Sequence, residues 1–234
     1  MYPRNSRNSS LATLVFCLLG LSITSVAEET SDPSLISSEA AWVLYDQLIN
    51  MESLPVQCES AMVHRPDSDT AFIPVEMKGR VWKKGRRTRT DEQWTIAAGQ
   101  AIGKMKIGIV YPDASYASYE YDPVNDTYIK LADGPSPVDF LKQGREKQVI
   151  KILGTEVLNG LQTTIIQIKS KANSTESNQK LWIGISTGLV MRSEMRMAPY
   201  TQFRELKNCV FEEFPDSALE VPQDKVVPST STLQ

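Results

Sequence analysis

Apolar residues alternate with polar ones along most of the chain, with one early exception. In LISSEAAWVLYDQLINMESL, Ile36, Ala40, Val43, Leu44, Leu48 and Met51 recur at three- and four-residue steps. That spacing predicts an amphipathic helix with one buried stripe, ended by Pro55. Beyond it the period falls to two. FIPVEMKGRVW sets Val75, Met77 and Val81 against Glu76, Lys78, Arg80 and Trp82. MKIGIVY puts Ile107, Ile109 and Tyr111 on one side, and LQTTIIQIK does the same with Thr164, Ile166 and Ile168. SYEYDPVNDTYIKL reads as two strands around a turn at Asp122-Pro123-Val124-Asn125. These are half-buried antiparallel strands joined by short turns.

KLWIGISTGLVMRSEMRM is the clearest hairpin. Leu181, Ile183 and Ile185 share a face, Ser186-Thr187-Gly188 turns the chain, and Leu189, Met191 and Met195 return on that face if Ile185 pairs with Leu189. Lys180, Trp182, Arg192, Glu194 and Arg196 point the other way. One face of the sheet is therefore apolar and the other charged. A second helical piece is expected in GPSPVDFLKQG, where Ser136 caps, Pro137 takes the first helical position, Asp139 suits the positive helix end and Gly144 stops it. VPQDKVVPSTSTLQ is rich in Pro, Ser and Thr, so residues 223–234 are expected to form a disordered tail.

The first residues set the compartment. Arg4 and Arg7 precede an apolar run from Leu11 to Ile23, and Thr24-Ser25-Val26-Ala27 follows as a small-residue cleavage site. This is the pattern of a cleaved secretory signal over residues 1–27, and the run is shorter than the ~20 residues of a membrane span. Cys17 lies inside the apolar run after Phe16, which excludes a lipoprotein signal there. No later segment is apolar enough to span a bilayer, so an exported, soluble mature chain is expected. Residues 28–222 make one domain. Two cysteines remain, Cys58 and Cys209. Export invites a disulfide between them, the alternative being two buried free thiols.

KGRVWKKGRRTRTDEQW concentrates Lys83, Lys84, Arg86, Arg87 and Arg89 between two tryptophans, as a nucleic-acid site would. Export and overall charge exclude that reading. The chain holds 25 Lys+Arg and 28 Asp+Glu, and without Arg4 and Arg7 the mature balance is 23 to 28, net −5. Lys83-Lys84-Gly85-Arg86 reads instead as a hairpin turn. Lys83, Lys84, Arg86 and Arg87 are then either a basic rim for anionic headgroups or an acidic partner surface, or a solvated edge kept soluble by charge.

No catalytic set emerges. GISTG fits the Gly-x-Ser-x-Gly elbow around Ser186, but that elbow needs a helix after the serine and a histidine downstream. The one histidine, His64, lies upstream, and with Asp67 and Asp69 it is too few ligands for a closed metal site. Neither cysteine has a near Cys or His partner, and no phosphate-binding glycine loop follows a strand. Neither a metal nor another cofactor is expected. Asn125-Asp126-Thr127 and Asn173-Ser174-Thr175 match the glycosylation sequon and read as turns in a bacterial chain.

The order of elements is familiar. Gly154, Thr155, Glu156 and Gly160 form one turn motif; Trp182, Ile183, Thr187, Gly188 and Leu189 a second; Pro215, Asp216, Ser217, Leu219 and Pro222 a closing segment. Together they resemble the LolA/LolB-like superfamily of periplasmic proteins, in particular the outer-membrane lipoprotein-sorting group. The resemblance runs from about Ser34 to Pro222. It implies an α+β fold, a curved antiparallel sheet forming an unclosed β-barrel wrapped on a few helices, with an apolar interior for acyl chains. On that reading Val75, Met77, Val81, Ile166, Ile183, Met191 and Met195 line the cavity, their inward direction coming from the alternation. The expected function is a non-enzymatic, monomeric periplasmic carrier of lipid or acylated lipoprotein, handed between inner- and outer-membrane delivery partners. The rivals are a periplasmic sensor or regulator that binds a protein partner, and a hydrolase acting through Ser186.

Overall fold

The computed structural model describes residues 36–66, 75–96, 101–135, 144–172, 175–197 and 200–228, all within one compact unit, Asp32–Gln234. The signal segment, the helical piece expected at residues 136–143, Asp67, Asp69, Asn173 and residues 229–234 lie outside the described residues.

Among the described residues one helix, α1 (Ser38–Ile49), precedes the strands. Ser37 caps it, its hydroxyl accepting from the Ala40 amide at 3.2 Å, and Asn50 closes it one turn earlier than Pro55 would. The strands are β1 (Ser53–Pro66), β2 (Val75–Gly85), β3 (Arg87–Ile96), β4 (Ala101–Val110), β5 (Ser115–Asp122) and β6 (Thr127–Pro135). They continue as β7 (Gln148–Leu158), β8 (Leu161–Ala172), β9 (Thr175–Gly184), β10 (Val190–Met197), β11 (Tyr200–Val210) and β12 (Val226–Val227). All twelve join one sheet in the order β12-β6-β5-β4-β3-β2-β1-β11-β10-β9-β8-β7. Every pairing is antiparallel except the short parallel contact of β12 with β6. The sheet is curved and its two edges do not meet, which is the unclosed barrel expected from the resemblance. Register shifts in six of the strand pairs supply bulges, which bend strands and increase their twist.

Two clusters fill the concave side. Ala41, Trp42, Tyr45 and Leu48 of α1 pack on Ile150, Ile152, Ile166, Ile168, Leu181 and Ile183. Val56, Cys58, Val81, Leu189, Met191 and Leu206 continue the core toward β1 and β2. The buried helix face is rotated from the expected stripe: Val43 is 53% exposed and Ile36 and Ala40 are exposed too. The aromatic pair Trp42–Tyr45 decides this, because large rings offer more area to bury than alanine or valine. Arg145 holds that face in place, bonding Asp46 through both oxygens at 2.9 and 2.6 Å while lying 4.3 Å from the Trp42 ring centre.

The opposite side is covered too, which the alternation did not show. Ile107, Ile109, Ala117 and Tyr119 form a third cluster, closed by Val221 from the C-terminal segment. Val226 and Val227 pair with Tyr128 and Ile129, so ordered structure continues past the domain boundary drawn at Pro222. The β9–β10 hairpin also differs from expectation. Ile183 pairs with Val190, not Ile185 with Leu189, and Ile185 is exposed in the turn. Gly184 causes this: its amide bonds the Leu189 carbonyl, and its carbonyl accepts from the Gly188 amide.

Cys58 and Cys209 are bridged, joining β1 to β11 across 151 residues. Replacing both cysteines by serine is expected to destabilise the protein by about 5 kcal/mol in the chain-entropy model. Thermal melts of the double variant against oxidised and reduced wild type measure it; equal midpoints would contradict it.

Candidate functional site

The basic hairpin turns more tightly than the sequence suggested. Lys84 pairs with Arg87, leaving Gly85 and Arg86 as a two-residue loop, and Gly85 takes the positive φ (60°) that such a loop requires. Lys83 and Lys84 are thus strand residues on opposite faces. Lys84 bonds Asp216 at 2.9 Å and lies 3.5 Å from Glu213, while Arg87 bonds Glu220 at 2.8 Å. Arg89 adds the Glu220 carbonyl at 2.7 Å and the Ala218 carbonyl at 3.2 Å, and its guanidinium pairs with Asp91. The acidic surface that meets this cluster is the chain's own FEEFPDSALE segment. Arg86 turns the other way and bonds the Asn50 carbonyl at the end of α1.

Lys83 belongs to neither group. It lies on the concave face beside Val81 and Met77, with 3% of its surface exposed. Lys83 is therefore not on the rim, because the strand runs two residues further than a four-residue turn would allow. The period-two count through Met77 and Val81 already points Lys83 inward.

A cavity of about 250 Å³ opens beside it. Helix α1 rests on β7 and β9, so among the described residues the face of β2–β4 and β11 is left partly uncovered. Ile49 and Asn50 form one wall at the helix end; Val81, Lys83, Thr88, Thr90 and Val110 come from β2–β4. Tyr111, Pro112 and Ala114 lie at one side, Gly188, Leu189 and Val190 at another, and Arg204 and Leu206 close it from β11. Gly188 is needed here: a Cβ at this position would lie 2.3 Å from the Leu48 carbonyl and 2.8 Å from Lys83 Nζ. Among the described residues no aspartate or glutamate lines this cavity, whereas Lys83, Arg86 and Arg204 all do. Arg204 is neutralised by Glu92 at 2.9 Å and also bonds Ser60. Burial, and then the neighbouring Arg86, push the Lys83 amine down to about 8.

Of the seven residues expected to line a cavity, Val81 is in this wall. Ile166 and Ile183 are fully buried directly beneath α1, and Met191 packs with Val81 and Leu206. Met77 lies at a second hollow of about 380 Å³ that mixes Arg65, Lys78 and Arg192 with Glu76, Glu194 and Glu205. Val75 and Met195 are half-buried toward strand ends. Ser186 sits exposed in the β9–β10 turn, and β10, a strand, follows. His64 stacks on Tyr200, ring centres 5.0 Å apart, with its Nε2 3.3 Å from Gln202 Oε1. Among the described residues no group of three potential ligands could hold a metal ion, and no helix is long and apolar enough to cross a membrane.

Fold and site together define an unclosed antiparallel barrel with an apolar cavity edged by cations. No family profile and no curated protein sequence matches the chain. Among solved structures it is similar to a DUF1329-family protein from Desulfovibrio piger, at 12% identity and TM-score 0.40 over 78% of this chain and 97% of that one. It is similar also to MucB, at 11% identity and TM-score 0.43 over 80% of this chain and 64% of that one, so it spans less than two thirds of MucB. A Vibrio parahaemolyticus domain ascribed to outer membrane lipoprotein sorting matches at 6% identity and TM-score 0.36, over 77% of this chain and 95% of that one.

The depressed Lys83 pKa has a definite sign. Folded, the amine titrates near 8; unfolded, near 10.5. Below pH 8 it is charged in both states, so the full cost of a buried cation opposes folding; above 10.5 it is neutral in both and the cost is gone. Lys83→Met is therefore expected to raise stability at pH 7 by on the order of 3 kcal/mol, a gain fading between pH 8 and 10.5. Denaturant titrations at pH 7 and 10.5 check this; a less stable variant at pH 7 would contradict it.

Proposed function

We propose that the protein is an exported, non-enzymatic carrier that shields one acyl chain of a lipid or acylated protein in the cavity beside α1. The cavity itself carries this reading: its walls bring Ile49, Val81, Val110, Leu189, Val190 and Leu206 around one space that the helix leaves open. At about 250 Å³ it lies just under the ~300–1,000 Å³ of ordinary small-molecule sites, so it suits one chain and not several. Each buried methylene contributes about 0.8 kcal/mol before ordering costs, which is enough for a single chain to be held reversibly. The secretory leader expected over residues 1–27 supports a periplasmic setting for this activity, where an acyl group in transit between membranes needs shielding from water.

Native mass spectrometry of protein purified gently from its own periplasm tests the proposal. One co-purifying lipid or acylated peptide per chain is expected. A clean apo mass with no uptake of added acyl probes contradicts it, and a stoichiometric protein partner in place of lipid would favour the sensor reading. Val190→Trp, which fills the cavity from a half-buried position, is expected to weaken acyl-probe binding at least about tenfold, the effect of losing roughly two methylene contacts. Unchanged probe binding would place the acyl site elsewhere.

A further inference from the structure

Lys83 is an anomaly among the cations of this protein. Lys84, Arg87, Arg89, Arg145, Arg192 and Arg204 each face a carboxylate within 3 Å. Lys83 is far more buried than any of them and has no hydrogen bond or ion pair from its ammonium among the described residues. Its charged neighbour is Arg86, of the same sign. A buried ammonium next to a second cation is costly unless an anion joins them.

The end of α1 does not supply that anion. The Leu48 carbonyl lies near Lys83 across Gly188, and a helix C-terminus does favour a cation. That partial charge is already shared with Arg86, which bonds the Asn50 carbonyl. The hydroxyls of Thr88 and Thr90 border the same space, Thr90 bonding the Gly108 carbonyl at 3.4 Å. Hydroxyls are neutral and cannot balance two cations. The contrast with the second hollow is direct, since there the basic side chains share the wall with three glutamates.

We propose that Lys83 and Arg86 form an anion-binding end of the cavity, so that the ligand is a single-chain amphiphile with a negatively charged head. The head, a carboxylate or a phosphate, sits between the Lys83 ammonium and the Arg86 guanidinium. The acyl chain lies against Val81, Val190 and Leu206. This deepens the carrier reading and rests on it: it adds that the cavity selects by head charge as well as by chain. Lys83 is in this view a binding residue whose cost to the empty protein is recovered when the anion arrives.

Three probes with the same chain separate the possibilities: laurate, dodecyl phosphate and uncharged methyl laurate. Each displaces a fluorescent acyl probe from delipidated mature protein, below its aggregation threshold, in wild type, Lys83→Met, Arg86→Gln and the control Lys84→Met. Wild type is expected to bind at least one anionic probe about tenfold or more tightly than methyl laurate, as a charge-assisted bond implies. Lys83→Met should lose that preference while keeping methyl laurate binding, Arg86→Gln should reduce it, and Lys84→Met should leave it intact. Preference for laurate assigns the head as a carboxylate, and preference for dodecyl phosphate as a phosphate; either supports the site. Equal binding of charged and uncharged probes by wild type overturns the anion site and leaves the carrier reading standing. An anion preference that persists in both Lys83→Met and Arg86→Gln overturns the assignment to these residues. Binding of none of the three probes overturns both.

Discussion

The pairing of β1 with β11 is the constraint on which the rest of the sheet depends. Every other antiparallel pairing joins strands that follow one another in the chain, so each needs only a local turn. β1 alone must find a partner about 150 residues away, and the Cys58–Cys209 bridge secures that one long-range closure. Closing so long a loop is entropically expensive, which is where a covalent link contributes most. Once made, it brings Lys83 and Val81 of β2 to the same side as Arg204 and Leu206 of β11. The cavity exists because two sequence-distant halves of the sheet meet at β1.

Most of the cations around this frame meet a carboxylate. At the surface the basic hairpin is neutralised by the C-terminal segment, and that docking also buries Leu219 and brings Val221 into the third cluster. Exposed pairs of this kind contribute little individually; the apolar contacts beneath them hold the segment in place. On the other side of the sheet, Arg204 meets Glu92 and Arg145 meets Asp46. Lys83 is buried without such a partner among the described residues, and it faces an apolar space lined by no described carboxylate. Stability of the empty protein and affinity for an anionic ligand therefore pull against each other at a single side chain.

Much of the fold was legible in the sequence. Alternation placed β2, β4, β8 and the β9–β10 hairpin, and the inward direction of Met77, Val81, Ile166 and Ile183 matches their burial. What alternation alone does not reveal is which face is covered by what. Ile107 and Ile109 follow the same period as Met77 but face the C-terminal segment, a contact across more than 100 residues that no local pattern encodes. The helix stripe was misjudged because counting apolar positions undervalues Trp42 and Tyr45, whose rings are partly polar yet dominate the buried area. β1 was not visible as a strand, since Cys58 and Ser60 interrupt its apolar face. Lys83 was hidden for the opposite reason: a lysine in a basic cluster reads as a turn, although its parity with Val81 marked it as inward.

On the proposed reading an acyl chain enters this cavity with its anionic head at Lys83. Anomalous diffraction from crystals of the protein with ω-brominated dodecanoic acid tests it most directly. A bromine peak is expected within the space bounded by Val81, Val190 and Leu206, with carboxylate density between Lys83 and Arg86. A bromine in the second hollow beside Met77, or carboxylate density directed away from Lys83, would contradict it.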